Sequence, residues 1–267
     1  MIRADTANIS IVLNRPRFPE NIGAAARAAK NMGIGQLILV QPEHCDLTRI
    51  LKLATHVAAD LVAEMEVHDD LAEALGPFHF IVGTTARTGS NRRTLGDPRR
   101  IAQELIAISQ RNRVALLFGP EDRGLTNDDL KYCQRIVTIP TADFSSLNLA
   151  QAVMILSYEM FRAGLDRAPA FVPRLANSFE LEGMYQQLSE VLTRIQFLNP
   201  QNPDYWMNNL RQYFIRRQLQ ARDVKVIRGI CRQIDWYCNQ LQQEAGRLAP
   251  DDGGLPIGNP AAAATKH

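Results

Sequence analysis

The sequence predicts an α/β fold with a mainly parallel sheet, followed by a separate helical unit. Three observations carry that prediction. Apolar runs of strand length recur through residues 8–162, helical periodicities lie between them, and beyond residue 173 only helical periodicity remains. Strands that are apolar along their whole length need cover on both faces, which helices crossing between parallel strands supply. The 267 residues suffice for one large domain and a smaller appendage, at about 150 residues per domain. Hydrophobic residues make up 46% of the chain and charged residues 22%, ordinary globular usage that excludes collagen-like, mainly disordered and coiled-coil classes. No stretch approaches the ~20 apolar residues of a membrane helix, and residues 1–9 lack a charged region followed by an apolar run, so a cytoplasmic protein is expected.

In chain order the strand-like runs are 9–13, 37–40, 80–82, 114–118 and 136–139, apolar apart from Ser10 and Thr138. Helical patterns cover 22–32, 71–75, 101–108 and 147–161, and Gly33 suits a helix C-cap. A Pro/Ala-rich stretch (RAPAFVP) then breaks the alternation. The expected division is therefore a first domain at 1–166, a linker at 167–173, a helical extension at 174–247 and a tail at 248–267. The tail is too poor in large apolar groups to fold.

Cys45, Cys133, Cys231 and Cys238 form no CxxC pair and meet no histidine at zinc-finger spacing, so structural thiols are expected and no metal. The net charge of +2 is uninformative, but its distribution is not. Arg87, Arg92, Arg93, Arg99 and Arg100 face the single acid Asp97. Further on, Arg194, Arg211, Arg216, Arg217, Arg222, Lys225, Arg228 and Arg232 face only Asp204 and Asp223. Guanidinium groups suit phosphates and base faces, so the two clusters look like the footprint of a nucleic acid. On charge alone, a solvated helix face and a loop fit equally well.

Three segments could carry chemistry. In NRPRFPENIGAAARAAKNMG (14–33) a strand turns into a helix beginning near Glu20 or Asn21. Arg27 follows about 9 Å further along the axis, among alanines that allow another backbone close by. A helix N-terminus beside an Asn and an Arg can receive phosphate; a solvated Arg27 and a capping Asn21 remain the plain alternative. In LLFGPEDRGLTNDDL (116–130) an apolar strand runs into Gly119, Pro120, Glu121 and Gly124, and Thr126 with Asp129 is spaced as a capping box. That turn lies where open α/β sheets bind ligands, beyond a strand's carboxyl end. In RIVTIPTADFSSLNLAQAVMILSYEMF (135–161) Ser145 or Ser146 is the expected helix cap, and Ser146 and Asn148 could hold a small polar ligand. The helix is apolar on more than one face, at Ala150, Val153, Met154, Leu156 and Tyr158, which suits burial against a second subunit. Gly33-Ile34-Gly35 follows a helix instead of preceding one, and no GxxxxGK[ST] occurs, so dinucleotide-type and P-loop sites are unsupported.

In this order the segments resemble the motifs of the SpoU branch of the SPOUT RNA methyltransferases. Asn21, Gly23 and Arg27 match its NxGxxxR; Phe118, Gly119, Glu121, Gly124 and Leu125 match FGxExxGL; residues 139–148 match its IPxxxxxSLN frame, with Ala150 where valine is commoner. The phrase GTTAR (83–87) and the stretch 197–230 are similar to the TrmJ-like subgroup, whose members methylate ribose in the tRNA anticodon loop. The resemblance implies an α/β-knot fold with a deep trefoil knot across 114–161. It implies S-adenosylmethionine held at Thr84, Thr85, Ala86, Gly119, Ile139, Ser146, Leu147 and Asn148, and no metal. It also implies a homodimer whose active site takes Arg27 from the opposite subunit, with Asn21, Glu121 and Ser146 completing the catalytic set. Arg87, Arg92, Arg93, Arg211, Arg216 and Arg217 would hold tRNA phosphates. The expected reaction is 2'-O-methylation of cytidine or uridine at anticodon-loop position 32. The same chemistry on ribosomal RNA, or a knotted RNA-binding protein without catalysis, stays open.

Overall fold

The computed structural model describes residues 2–86, 95–142, 146–165, 171–199 and 201–248. Among them one parallel sheet dominates, built from β2 (Ile9–Asn14), β3 (Gln36–Val40), β4 (Glu66–His68), β5 (Phe80–Thr84), β6 (Leu95–Gly96), β7 (Val114–Phe118) and β8 (Arg135–Val137). Their spatial order is β4-β3-β2-β7-β5-β8-β6. The chain steps outward from β2 to β4, crosses back to β5, and later inserts β7 between β2 and β5. The registers Leu13↔Phe118, Gly83↔Leu117 and Thr84↔Val137 bring the carboxyl ends of these strands level. A two-stranded antiparallel pair, β1 (Ile2–Arg3) with β9 (Gly164–Leu165), stands apart.

Strand residues alternate between two cores, as the pleat requires. Ile9, Ile11 and Leu13 point with Leu116 and Phe118 toward α1 (Pro19–Asn31), α2 (Leu47–Ala54), α5 (Pro98–Ser109) and α7 (Leu149–Arg162). Val12, Ile38, Ile81 and Leu117 point the other way, toward Leu75 and Leu130, which belong to α4 (Leu71–Leu75) and α6 (Asn127–Leu130). Cover on both faces is why these strands read as unbroken apolar runs. Gly23 sets one helix contact: a Cβ there would lie 2.0 Å from the Ile50 carbonyl oxygen, so α1 and α2 approach backbone to backbone.

The helices α8 (Ser178–Arg194), α9 (Pro203–Ile215) and α10 (Ala221–Leu248) share a core of Ala176, Met184, Tyr185, Leu198, Met207 and Val224. They join the sheet region through polar contacts. The Ser178 amide donates to the Phe78 carbonyl at 2.9 Å, and the Leu175 amide to Asn112 Oδ1 at 2.9 Å. Phe179 fills the space over Gly76. No described helix is long and apolar enough to cross a membrane.

Several local expectations need correction. The cap of α7 is Asn148, whose Oδ1 accepts from the amides of Ala150 and Gln151 at 2.9 and 3.4 Å; Ser146 precedes it and Ser145 lies outside the described residues. Helix α1 starts earlier than expected, at Pro19, because proline is well suited to a first helical turn. Strand β8 ends at Val137. The edge strand β4, exposed at Glu66 and Val67, and the helices α2 and α3 (Ala59–Ala63) were not among the expected elements. Apart from Leu248, the expected tail falls outside the described residues, as do residues 167–170 of the linker.

Candidate active site

At the level carboxyl edge the end of β5, the loop from β7 into α6, and residues that follow β8 or begin α7 line a crevice of about 310 Å³, and the start of α1 is tied to its wall by hydrogen bonds. Thr84, Thr85, Ala86, Gly119, Ile139, Ser146 and Leu147 line it, as the sequence motifs led one to expect, and so does Glu121. Its apolar wall comes from Phe118, Val137, Leu149 and Ala152. The β7–α6 loop is shaped by glycine. Gly124 adopts φ +65°, and a Cβ on Gly119 would lie 2.4 Å from the Gly124 carbonyl carbon, so the loop doubles back tightly over the strand end.

A line of hydrogen bonds ties the loops together. Asn148 Nδ2 donates to Asn21 Oδ1 at 2.8 Å, and Asn21 Nδ2 donates to Glu121 Oε1 at 2.7 Å. The other carboxylate oxygen, Glu121 Oε2, accepts the Arg17 amide at 2.9 Å. Each motif therefore supplies one member of a single relay, of which Glu121 lines the crevice and Asn21 and Asn148 do not. Asn148 is not itself a lining residue; it caps α7 with its oxygen and braces Asn21 with its nitrogen. Behind the relay, Arg15 Nη2 contacts both oxygens of the buried Asp129 at 2.7 Å, while Asp129 and Thr126 complete the expected capping box. Arg15 holds φ 54°, an unfavourable backbone for a side chain of its size.

Arg27 stands outside this crevice. It is exposed between buried Ala26 and Ala28, and among the described residues it makes no hydrogen bond or ion pair. Arg87, Arg92 and Arg93 lie outside the described residues. Arg211 is turned inward: it grips both Glu182 oxygens at 2.5 and 2.6 Å and lies over the Tyr185 ring at 4.2 Å. Burial pushes the Tyr185 hydroxyl up to about 12. Arg216 and Arg217 are exposed, the latter 5.1 Å over the Tyr213 ring. Arg17, Asp122 and Arg123 were missed by sequence reasoning. They sit inside the quoted segments, but only the meeting of two distant loops gives them a common place.

A parallel sheet with a crevice at its carboxyl edge, beside a relay of amides and a carboxylate, defines an α/β protein with its cavity where open α/β sheets place their ligand sites. The chain belongs to the SpoU rRNA methylase family, whose model matches residues 8–158, while that of the tRNA methyltransferase TrmJ C-terminal domain matches 179–246. It is 37% identical over 252 residues to the tRNA (cytidine/uridine-2'-O-)-methyltransferase TrmJ of Sodalis glossinidius (strain morsitans), covering 92% of this chain and 96% of that one. It is 38% identical to the tRNA (cytidine/uridine/adenosine-2'-O-)-methyltransferase TrmJ of Pseudomonas aeruginosa (strain UCBPP-PA14), covering 83% and 91%. Among solved structures it is similar to TrmJ from Z. mobilis ZM4, with a TM-score of 0.73 and 30% identity over 85% of this chain and 98% of that one.

Proposed function

We propose that the protein is an S-adenosylmethionine-dependent tRNA 2'-O-methyltransferase acting on anticodon-loop cytidine or uridine at position 32. The observation that carries this reading is the Asn148–Asn21–Glu121 relay, which joins all three family motifs beside one crevice. The helical segment's match to a tRNA methyltransferase domain favours tRNA over ribosomal RNA.

The crevice fits the methyl donor. Its volume of about 310 Å³ lies in the range of small-molecule sites, and its wall combines apolar side chains with the hydroxyls of Thr84 and Thr85. Thr84, Thr85, Ala86, Gly119, Ile139, Ser146 and Leu147 would hold the donor, with Asn148 fixing the loop end. Bound there, it would supply a methyl group on a positively charged sulfur. Asn21, held at both ends of its amide, and Ser146 orient the ribose hydroxyl.

Arg27 stabilises the oxyanion that develops at O2' and is contributed by a second copy of the chain. Its exposure, its lack of a hydrogen bond or ion pair among the described residues and its absence from the lining of its own crevice support that assignment, as does the incompletely buried flank of α7 at Ile155 and Tyr158. A guanidinium, with a pKa above about 12, acts as a fixed positive charge here and not as a base. The proton leaves to water or to an RNA phosphate. We also propose the deep knot: β5 lies between β7 and β8, and α7 returns to pack on α1 and α5. Arg216 and Arg217, the latter over the exposed Tyr213 ring, take tRNA phosphates together with Arg87, Arg92 and Arg93. Arg211 works behind them by holding α9 on α8.

Incubating the purified protein with methyl-labelled donor and separate tRNA and ribosomal RNA pools tests the reading. Label in tRNA ribose is expected. Label confined to ribosomal RNA, or tight RNA binding without label, overturns it.

A further inference from the structure

The charged side chains that the structure describes around the crevice mostly have partners within the chain. Glu121 accepts the Arg17 amide and the Asn21 side chain. Asp122 pairs with Arg17 Nη1 at 3.3 Å, and Arg17 Nε pairs with Glu43 at 2.9 Å. Asp129 is closed off by Arg15. Arg123 differs from all of these. It lines the crevice, is exposed to solvent, and among the described residues makes no hydrogen bond or ion pair.

Its base is rigid. The Gly124 amide closes a turn onto the Pro120 carbonyl at 2.9 Å, Gly124 takes φ +65°, and Glu121, two residues before Arg123, is pinned from both oxygens. Arg123 therefore projects from a fixed loop at the rim, and its neighbouring acids are engaged elsewhere, Glu121 by the Arg17 amide and Asn21, and Asp122 by the Arg17 guanidinium. An uncompensated guanidinium in such a place waits for an anion from outside the chain. A polynucleotide must lay its backbone across that rim to put a ribose hydroxyl inside, and it carries a phosphate at every nucleotide. The guanidinium fork matches phosphate oxygens two at a time.

We propose that Arg123 binds the backbone phosphate of the nucleotide whose ribose enters the crevice. This rests on the function proposed above and adds a substrate-positioning residue to it. The rival source of an anion is the carboxylate of the methyl donor, and the two are separable by experiment.

The test measures tRNA affinity across a salt series, and S-adenosylhomocysteine affinity by calorimetry, for the full-length protein and for Arg123→Ala and Arg123→Lys. Arg123→Ala is expected to weaken tRNA binding roughly tenfold, as loss of one charge-assisted contact does. It should also lower the slope of log affinity against log salt by about 1, a change that mere loss of stability would not produce. Arg123→Lys should restore the slope, and S-adenosylhomocysteine affinity should stay the same. Unchanged tRNA affinity and slope overturns the proposal, and so does weakened S-adenosylhomocysteine binding with tRNA binding intact. If the unaltered protein methylates tRNA in the same preparation, either result removes only the role of Arg123. If it neither binds nor methylates tRNA, the wider reading fails and this one with it.

Discussion

The Asn21 side-chain amide meets the Glu121 carboxylate at 2.7 Å across a hundred residues of sequence. The bond fixes which way the amide faces: nitrogen to Glu121, oxygen to Asn148. Glu121 is itself held by the Arg17 amide, so the orientation of Asn21 is set from outside its own helix.

Glu121→Gln keeps the shape but removes the charge that strengthens both bonds, and its own amide can face the wrong way. Methyl transfer should fall by about one to two orders of magnitude, the scale of losing an aligned group at a reacting centre. S-adenosylhomocysteine affinity should stay near that of the unaltered protein. Labelled-methyl transfer together with calorimetry checks the split.

Asp129 carries two loads, the capping box of α6 and the two-toothed grip on Arg15. Asp129→Ala loses a cap worth ~1 kcal/mol and charge-assisted bonds of ~1.5–3 kcal/mol, reduced because Arg15 is part-exposed. A loss of about 2 kcal/mol in urea unfolding is expected. Arg15→Ala should cost less, because the cap survives.

His79 gives stability a pH dependence. Burial lowers its pKa below the ordinary 6.5, and the neighbouring cations Arg174 and Arg113 lower it further against the opposing Glu180. The Arg113 amide donates to His79 Nδ1 at 3.1 Å, a bond the protonated ring cannot accept. The unfolded chain therefore binds the proton more readily than the folded one. Stability is fully present above pH 6.5 and declines as pH falls through the lower folded value. His79→Gln should flatten that decline in unfolding curves taken between pH 7 and 5.

Much of this was legible in the sequence because parallel strands buried on both faces announce themselves: 114–118 is apolar at every position and is β7 residue for residue. The edge strand Glu66–His68 escaped because one exposed flank removes the apolar run that marks its neighbours. The crevice lining was legible through the motifs, whose glycines and polar residues sit at strand ends. The cap of α7 was not, since Ser146 and Asn148 are equally good capping residues and only backbone geometry chooses between them. Arg17 and Arg123 were invisible for another reason. Their partners, or lack of partners, depend on a loop a hundred residues away.

The shared active site is tested most directly by mixing two impaired variants, Arg27→Ala and Glu121→Gln, and refolding them together. In a symmetric dimer half of the assemblies pair one of each, and each such pair holds one site with both residues intact. Methyl transfer to tRNA should return to about a quarter of that of the unaltered protein. A mixture no more active than its two components alone contradicts a site built from two chains.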